Sequence, residues 1–141
     1  MSPMARVVRL VTTVDIDDEA DARRLSVSAR LEAVADDGRR LPLIDNRGWT
    51  ETLKGPGAND IWAITSEQDI ADTARVVVGP DEPFDGLSRH EIEIDHWNAL
   101  AEDLCEHGVI VDADQLKHLP HDVVLSERLR ARLDRGSHDA A

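Results

Sequence analysis

Apolar and polar residues alternate with a period of two through most of the first half of the chain. Val8, Leu10, Thr12, Val14 and Ile16 fall on one side of this alternation, and Val7, Arg9, Val11, Thr13 and Asp15 on the other. The segment is rich in β-branched residues, which suit a pleated surface. After the acidic stretch 17–21 the alternation is cleaner: Leu25, Val27, Ala29, Leu31 and Ala33 face one way, Ser26, Ser28, Arg30 and Glu32 the other. Asp36-Asp37-Gly38 is a hairpin signal. A third strand is predicted from Arg40, with Pro42 suited to an edge or a bulge because it offers no N–H to a ladder. Asn46-Arg47-Gly48 interrupts it, Trp49–Leu53 continues the pairing, 54–60 forms a loop, and Ile61–Thr65 returns as another strand.

The second half follows a period near 3.6. Ser66 with Asp69 opens a short helix to about Arg75, followed by Val76–Val78 and a Gly79-Pro80 stop. Residues 79–87 form the longest loop. Ser88 with Glu91 makes a capping box, with Leu87 and Ile92 as its hydrophobic staple. The helix that follows places Ile94, Trp97, Leu100, Ala101, Leu104 and Cys105 on one face and ends at Gly108. Ile92 and Ile94 also alternate, so a strand over His90–Ile94 competes with the helix. Asp112 with Gln115 repeats the capping pair, Val111 with Leu116 the staple, and Pro120 the stop. A final helix is predicted over Val123–Leu133, with Leu125, Leu129 and Leu133 in register, and the tail from Asp134 is expected to fray. The fold class is therefore α+β: a mainly antiparallel four- to five-stranded sheet in the N-terminal half, followed by helices packed on one face. One domain over 1–141 is expected, strand-rich over 5–65, helix-rich over 66–134, with a tail at 135–141.

Charge narrows the function classes. The 141 residues carry 29 Asp and Glu against 16 Lys and Arg, a net charge of −13. Such an excess repels nucleic-acid phosphates and anionic membranes, so neither is an expected partner. Cys105 is the only cysteine and can form no intramolecular disulfide. With Arg9 interrupting the apolar run 7–11, no signal or spanning segment is read, and the cytoplasm is the expected compartment.

Candidate chemistry centres on the histidines. Asp103 and His107 are four residues apart on the long helix, and His118 and His121 lie beyond Gly108, where the chain can turn back. Asp103, His107, His118 and His121 are thus a candidate metal site. They match no established metal-binding spacing. Cys105 points into the apolar stripe and reads as a core residue rather than a nucleophile. Ser66, Ser88 and Ser126 read as helix caps, and no nucleophile elbow, phosphate loop or dinucleotide fingerprint occurs, so no cofactor is expected. Trp49, Trp62 and Trp97 read as core anchors.

The stronger feature is an acidic stripe. Glu91, Asp95, Glu102 and Glu106 lie within about 60° of one another around the long helix. From 88 to 122 there are nine acids against two bases, whereas the last helix is arginine-rich, with Arg128, Arg130, Arg132 and Arg135. The leading expectation is a non-enzymatic interaction or regulatory module. It binds a basic protein partner, in the manner of an inhibitor or immunity protein, or forms a homodimer. The alternative is a small metal-dependent or His/Asp hydrolase built on residues 96–121.

Overall fold

A computed structural model describes residues 5–18, 20–54, 60–80, 86 and 88–139. Three long strands come first: β1 (Ala5–Ile16), β2 (Arg24–Ala35) and β3 (Arg40–Thr52). A 3₁₀ turn (Ile61–Ile64), α1 (Glu67–Val77) and α2 (Arg89–Glu106) follow, then β4 (Val109–Ile110), α3 (Ala113–Lys117), β5 (His121–Leu125) and α4 (Glu127–Asp139). The sheet runs β3-β2-β1, all antiparallel. On its other edge β1 pairs in parallel with β4 at Ala5–Arg6 and with β5 over Leu10–Val14. The protein is α+β with helices on one sheet face, as the alternating pattern predicts. Two of its five strands, however, are contributed by the C-terminal half.

β2 buries the whole of its predicted core face, Leu25, Val27, Ala29, Leu31, Ala33 and Ala35, with Ser26 and Val34 of the other face buried as well. β1 does not. Val7 opposes Ala35 but Arg9 opposes Val34, so one extra residue sits in β1 at Val8. A bulge of this kind reverses which parity faces the core. Ala5 and Val7 are buried before it, Leu10, Thr12 and Val14 after it, and Val8 is 46% exposed rather than on the core side. β3 is an edge strand with two register shifts. Pro42 lies beside one of them, where the lost N–H is harmless. Gly48 serves close approach: a Cβ there would lie 2.5 Å from the Val27 carbonyl oxygen.

The core has two lobes on the same sheet face. α2, β4 and α3 cover one through Leu100, Leu104, Val109 and Leu116, against Val7, Leu31 and Ala33. The 3₁₀ turn, α1 and α4 cover the other through Ile61, Trp62, Ile70, Leu129 and Leu133, against Val14, Leu25 and Val27. Trp49 packs against both lobes. Each fully buried Leu, Ile or Trp contributes on the order of 2 kcal/mol of apolar transfer energy, so both lobes matter to stability.

Three expected elements change form. Ile61–Thr65, predicted as a strand, curls instead. Asp60 accepts the Trp62 N–H at 3.0 Å and the Thr65 hydroxyl donates to the Ile61 carbonyl at 2.8 Å, local bonds that compete with a ladder. Val123–Leu125, predicted to begin the last helix, instead complete β5 (His121–Leu125), because the second edge of β1 is open to them. Val76 and Val77 extend α1. The expected Leu87–Ile92 staple lies outside the described residues, and α4 continues past Asp134 to Asp139.

α4 is held by its arginines. Ser126 caps it, accepting the Leu129 N–H at 3.2 Å while donating to Asp15 at 2.6 Å. Arg128 pairs with Asp15 at 2.8 Å, Arg130 with Glu67 at 3.6 Å, and Arg132 with Asp60 at 2.8 Å. The last pair is well shielded, and the Arg132 guanidinium also lies over the Trp62 ring at 5.4 Å. Deleting Val8 should remove the bulge while keeping Ala5 and Val7 on the core face, opposite the same β2 partners, so urea unfolding should stay cooperative, and Val8→Thr should change stability by less than about 0.5 kcal/mol. Asp60→Ala should destabilise by about 2–3 kcal/mol in the same assay, since it removes a cap and strands a shielded arginine.

Candidate functional site

The candidate surface is α2 and its neighbour α3. Both start where sequence chemistry directs. Ser88 Oγ accepts the Glu91 N–H at 3.1 Å and the Glu91 carboxylate accepts the Ser88 N–H at 3.4 Å, so the helix reading of 90–94 holds over the strand. Asp112 accepts the Gln115 N–H at 2.7 Å to open α3. Gly108, at φ +79, makes the left-handed turn between α2 and β4.

The buried face of α2 is rotated from the predicted one. Ile92, Leu100 and Leu104 are buried and His96 is half-buried, a line of i,i+4 residues against the sheet. Ile94 is 44% exposed, and Cys105 is exposed rather than a core residue. Trp97 is half-buried, its ring edge-on to His96 with centroids 4.8 Å apart. Trp62 is a buried anchor, as predicted, with its indole N–H donating to the Asp21 carbonyl at 3.0 Å.

Ile94 and Trp97 are left beside a cleft of about 220 Å³ between α2 and α3, shared with His90 and Glu93 from α2 and Asp114 and Lys117 from α3. The Lys117 ammonium pairs with Glu93 across the two helices and holds that carboxyl below the usual carboxylate range. Roughly across the helix from Trp97 lie the four stripe acids, all exposed. Glu91 serves the cap. Asp95, Glu102 and Glu106 form no hydrogen bond or ion pair among the described residues. No sequence signal marked Ile94 and Trp97 as accessible, because both lie on the apolar stripe and α3's position is a tertiary fact.

The four proposed metal ligands are dispersed. His107 Nδ1 donates to the Asp103 carbonyl at 2.8 Å, within one turn of α2. His118 Nδ1 does the same with Asp114 on α3. His121 lies on β5 with Nε2 2.6 Å from the Thr12 hydroxyl. Among the described residues no three metal-ligating side chains converge, so the expected shared ion at Asp103, His107, His118 and His121 finds no site there. The candidate hydrolase centre over 96–121 is divided among three elements by the same geometry. Elsewhere, the solvent-facing side of the sheet bears a shallow polar basin of about 360 Å³ that includes Thr13, Ser28, Arg30 and Asp45. No helix among the described residues is long and apolar enough to cross a membrane.

With this geometry in hand, comparison with known proteins adds no constraint. No protein-family model, curated protein or solved structure matches the chain.

His121 is the histidine whose titration the fold alters. Burial lowers its pKa below the usual value, helped by Arg75 on α1 and opposed by Asp122 beside it. The unfolded chain protonates this ring near pH 6.5, while the folded chain resists until lower pH. Stability from the neutral ring is therefore complete above about pH 6.5 and lost as pH falls through the folded value. Urea titrations at pH 7 and pH 5 should show a smaller acid-dependent loss for His121→Gln than for the native chain.

Proposed function

We propose that the protein is a non-enzymatic interaction module that holds a basic protein partner on the acidic side of α2. The observation that carries this reading is the unequal disposal of charge. Arg128, Arg130 and Arg132 are engaged by the chain's own acids, whereas Asp95, Glu102 and Glu106 face solvent without a counter-charge among the described residues. Acids on α2 repel one another, and each like-charged i,i+4 pair such as Glu102 and Glu106 costs a few tenths of a kcal/mol. A cationic surface relieves that repulsion, and the net charge of −13 steers its approach over roughly a Debye length, about 8 Å at physiological salt. An inhibitor-like role, covering the cationic site of a basic enzyme or toxin, is the form of partnership this chemistry suits best. A reducing intracellular compartment belongs to the same proposal, because the exposed Cys105 thiol persists there.

The test is affinity capture at low ionic strength, followed by calorimetric titration of the captured protein. Binding should weaken steadily with added salt. The triple variant Asp95→Lys, Glu102→Lys, Glu106→Lys, checked for native folding by circular dichroism, should lose at least about tenfold in affinity, or roughly 1.4 kcal/mol. Salt-independent binding, or equal affinity of the variant, would overturn the proposal. A stable dimer in light scattering that excludes other proteins would transfer the role to self-association.

A further inference from the structure

The outer edge of β3 is a surface separate from α2. β3 ends the sheet, and among the described residues no strand pairs with its far side. Pro42 and both register shifts interrupt its first half, whereas residues 47–52 pair regularly with 24–29 of β2. The Leu53 N–H donates to the Arg23 carbonyl at 2.8 Å, which fixes the phase of that ladder. Bonded and non-bonded pairs alternate between antiparallel strands. Trp49 and Glu51 therefore bond to β2, while the backbone N–H and C=O groups of Gly48, Thr50 and Thr52 point outward. Such a row, repeating about every 6.8 Å, is a template matched by another extended chain.

Beside this edge the helix layer leaves a trough of about 580 Å³ between the end of β3 and α1. Arg47 donates to the Val77 carbonyl at 3.3 Å at the C-terminal end of α1, and Leu53 and Ile64 lie at the other end. Asp69, Asp72 and Thr73 line the α1 side, and Val76 falls within about 100° of them around the helix. Ile64 and Val76, at 62% and 69%, are the most exposed large apolar side chains among the described residues. Glu51 shares the helix-covered face with its partner Leu25, so a residue added opposite Glu51 directs its side chain into the trough. Its neighbours, opposite Thr50 and Thr52, make the hydrogen bonds.

Charge selects the occupant. Glu51 has no ion pair or hydrogen bond from its side chain among the described residues. Asp69 accepts the Ser66 N–H at 3.1 Å and keeps its charge, and Asp72 is shared with Arg75, 3.5 Å away. Lys54 is the one cation on the described lining. A second copy of this chain would set the same acids, and another net charge of −13, against them. We infer that the outer edge of β3 accepts an extended, basic segment of a protein partner as an added antiparallel strand, with its cationic side chains in the trough. This surface shares no residue with the acidic side of α2 and does not depend on it.

The probe is a terminally blocked heptapeptide of alternating Thr and Lys, titrated into the full chain at low salt and followed by NMR. At saturation the Thr50 and Thr52 amides should exchange with solvent at least about tenfold more slowly, while that of Glu51, already bonded to β2, should change little. A peptide of alternating Thr and Glu should not bind. N-methylation at the Thr residues removes the N–H groups that face β3 and should abolish binding, whereas N-methylation at the Lys residues should leave it within about threefold. Thr50→Pro deletes an outward N–H without touching the β2 ladder and should weaken binding about tenfold. Glu51→Lys, at an exposed position, should weaken it comparably with the backbone unchanged; circular dichroism checks both variants for native folding. Failure of the Thr–Lys peptide to bind would overturn the inference. Equal sensitivity to the two N-methylated sets, or binding without protection of Thr50 and Thr52, would reduce it to charge attraction and overturn it too, leaving the α2 reading standing. A dimer in which these amides are protected without peptide would give the edge to a second copy and likewise overturn it.

Discussion

β1 is the strand on which everything else is hung, because both of its edges are used. One edge carries the antiparallel β2, and the other carries β4 and β5 in parallel. Backbone groups on a strand must all find partners when buried. The open edge of β1 therefore recruits segments from the C-terminal half, and their arrival sets where α2, α3 and α4 lie. The bulge at Val8 adjusts this strand to two environments. It lets Ala5 and Val7 join the α2 lobe of the core and Leu10 and Val14 serve the remainder of the same sheet face.

The consequences for charge follow from that arrangement. α4, placed directly after β5, crosses the end of β1 and the 3₁₀ turn. Its arginines meet Asp15, Asp60 and Glu67 from three separate parts of the chain. The arginine beside Asp15 draws that carboxyl's pKa down, with help from the Ser126 hydroxyl. These pairs are mostly at the surface, where each contributes little alone. The shielded Arg132–Asp60 pair, stacked over Trp62, is the exception. With those basic groups placed near one end of the sheet, Asp95, Glu102 and Glu106 of α2 have no counter-charge among the described residues. The acidic face is thus a product of topology as well as composition.

α2 illustrates how a small rotation changes which apolar residues a helix leaves exposed. With its buried line along Ile92, His96, Leu100 and Leu104, the helix presents Ile94 and Trp97 to the gap beside α3. α3 is short and begins five residues past Gly108, so the left-handed glycine and the two-residue β4 fix how closely it returns.

Local chemistry was legible in the residues themselves. The β2 alternation, the Asp36–Gly38 turn, the caps at Ser66, Ser88 and Asp112, and the exposed acids of α2 each depend on neighbours within a few positions. Such signals survive without knowledge of the fold. The Ile61–Ile64 turn was decided by local side-chain bonds that its alternation did not reveal, and β5 and the orientation of α2 by contacts more than twenty residues distant. A run such as Val123-Val124-Leu125 fits a helix or a strand equally well until an unpaired edge offers it hydrogen bonds. Dispersal of Asp103, His107, His118 and His121 has the same origin: spacing along a helix limits which side chains meet on that helix, but only the path after Gly108 decides where the others go. The amino-acid order determined the elements and the sign of the surface, and tertiary packing decided which apolar residues that surface left uncovered, because burial is settled by what lies opposite rather than by what lies adjacent.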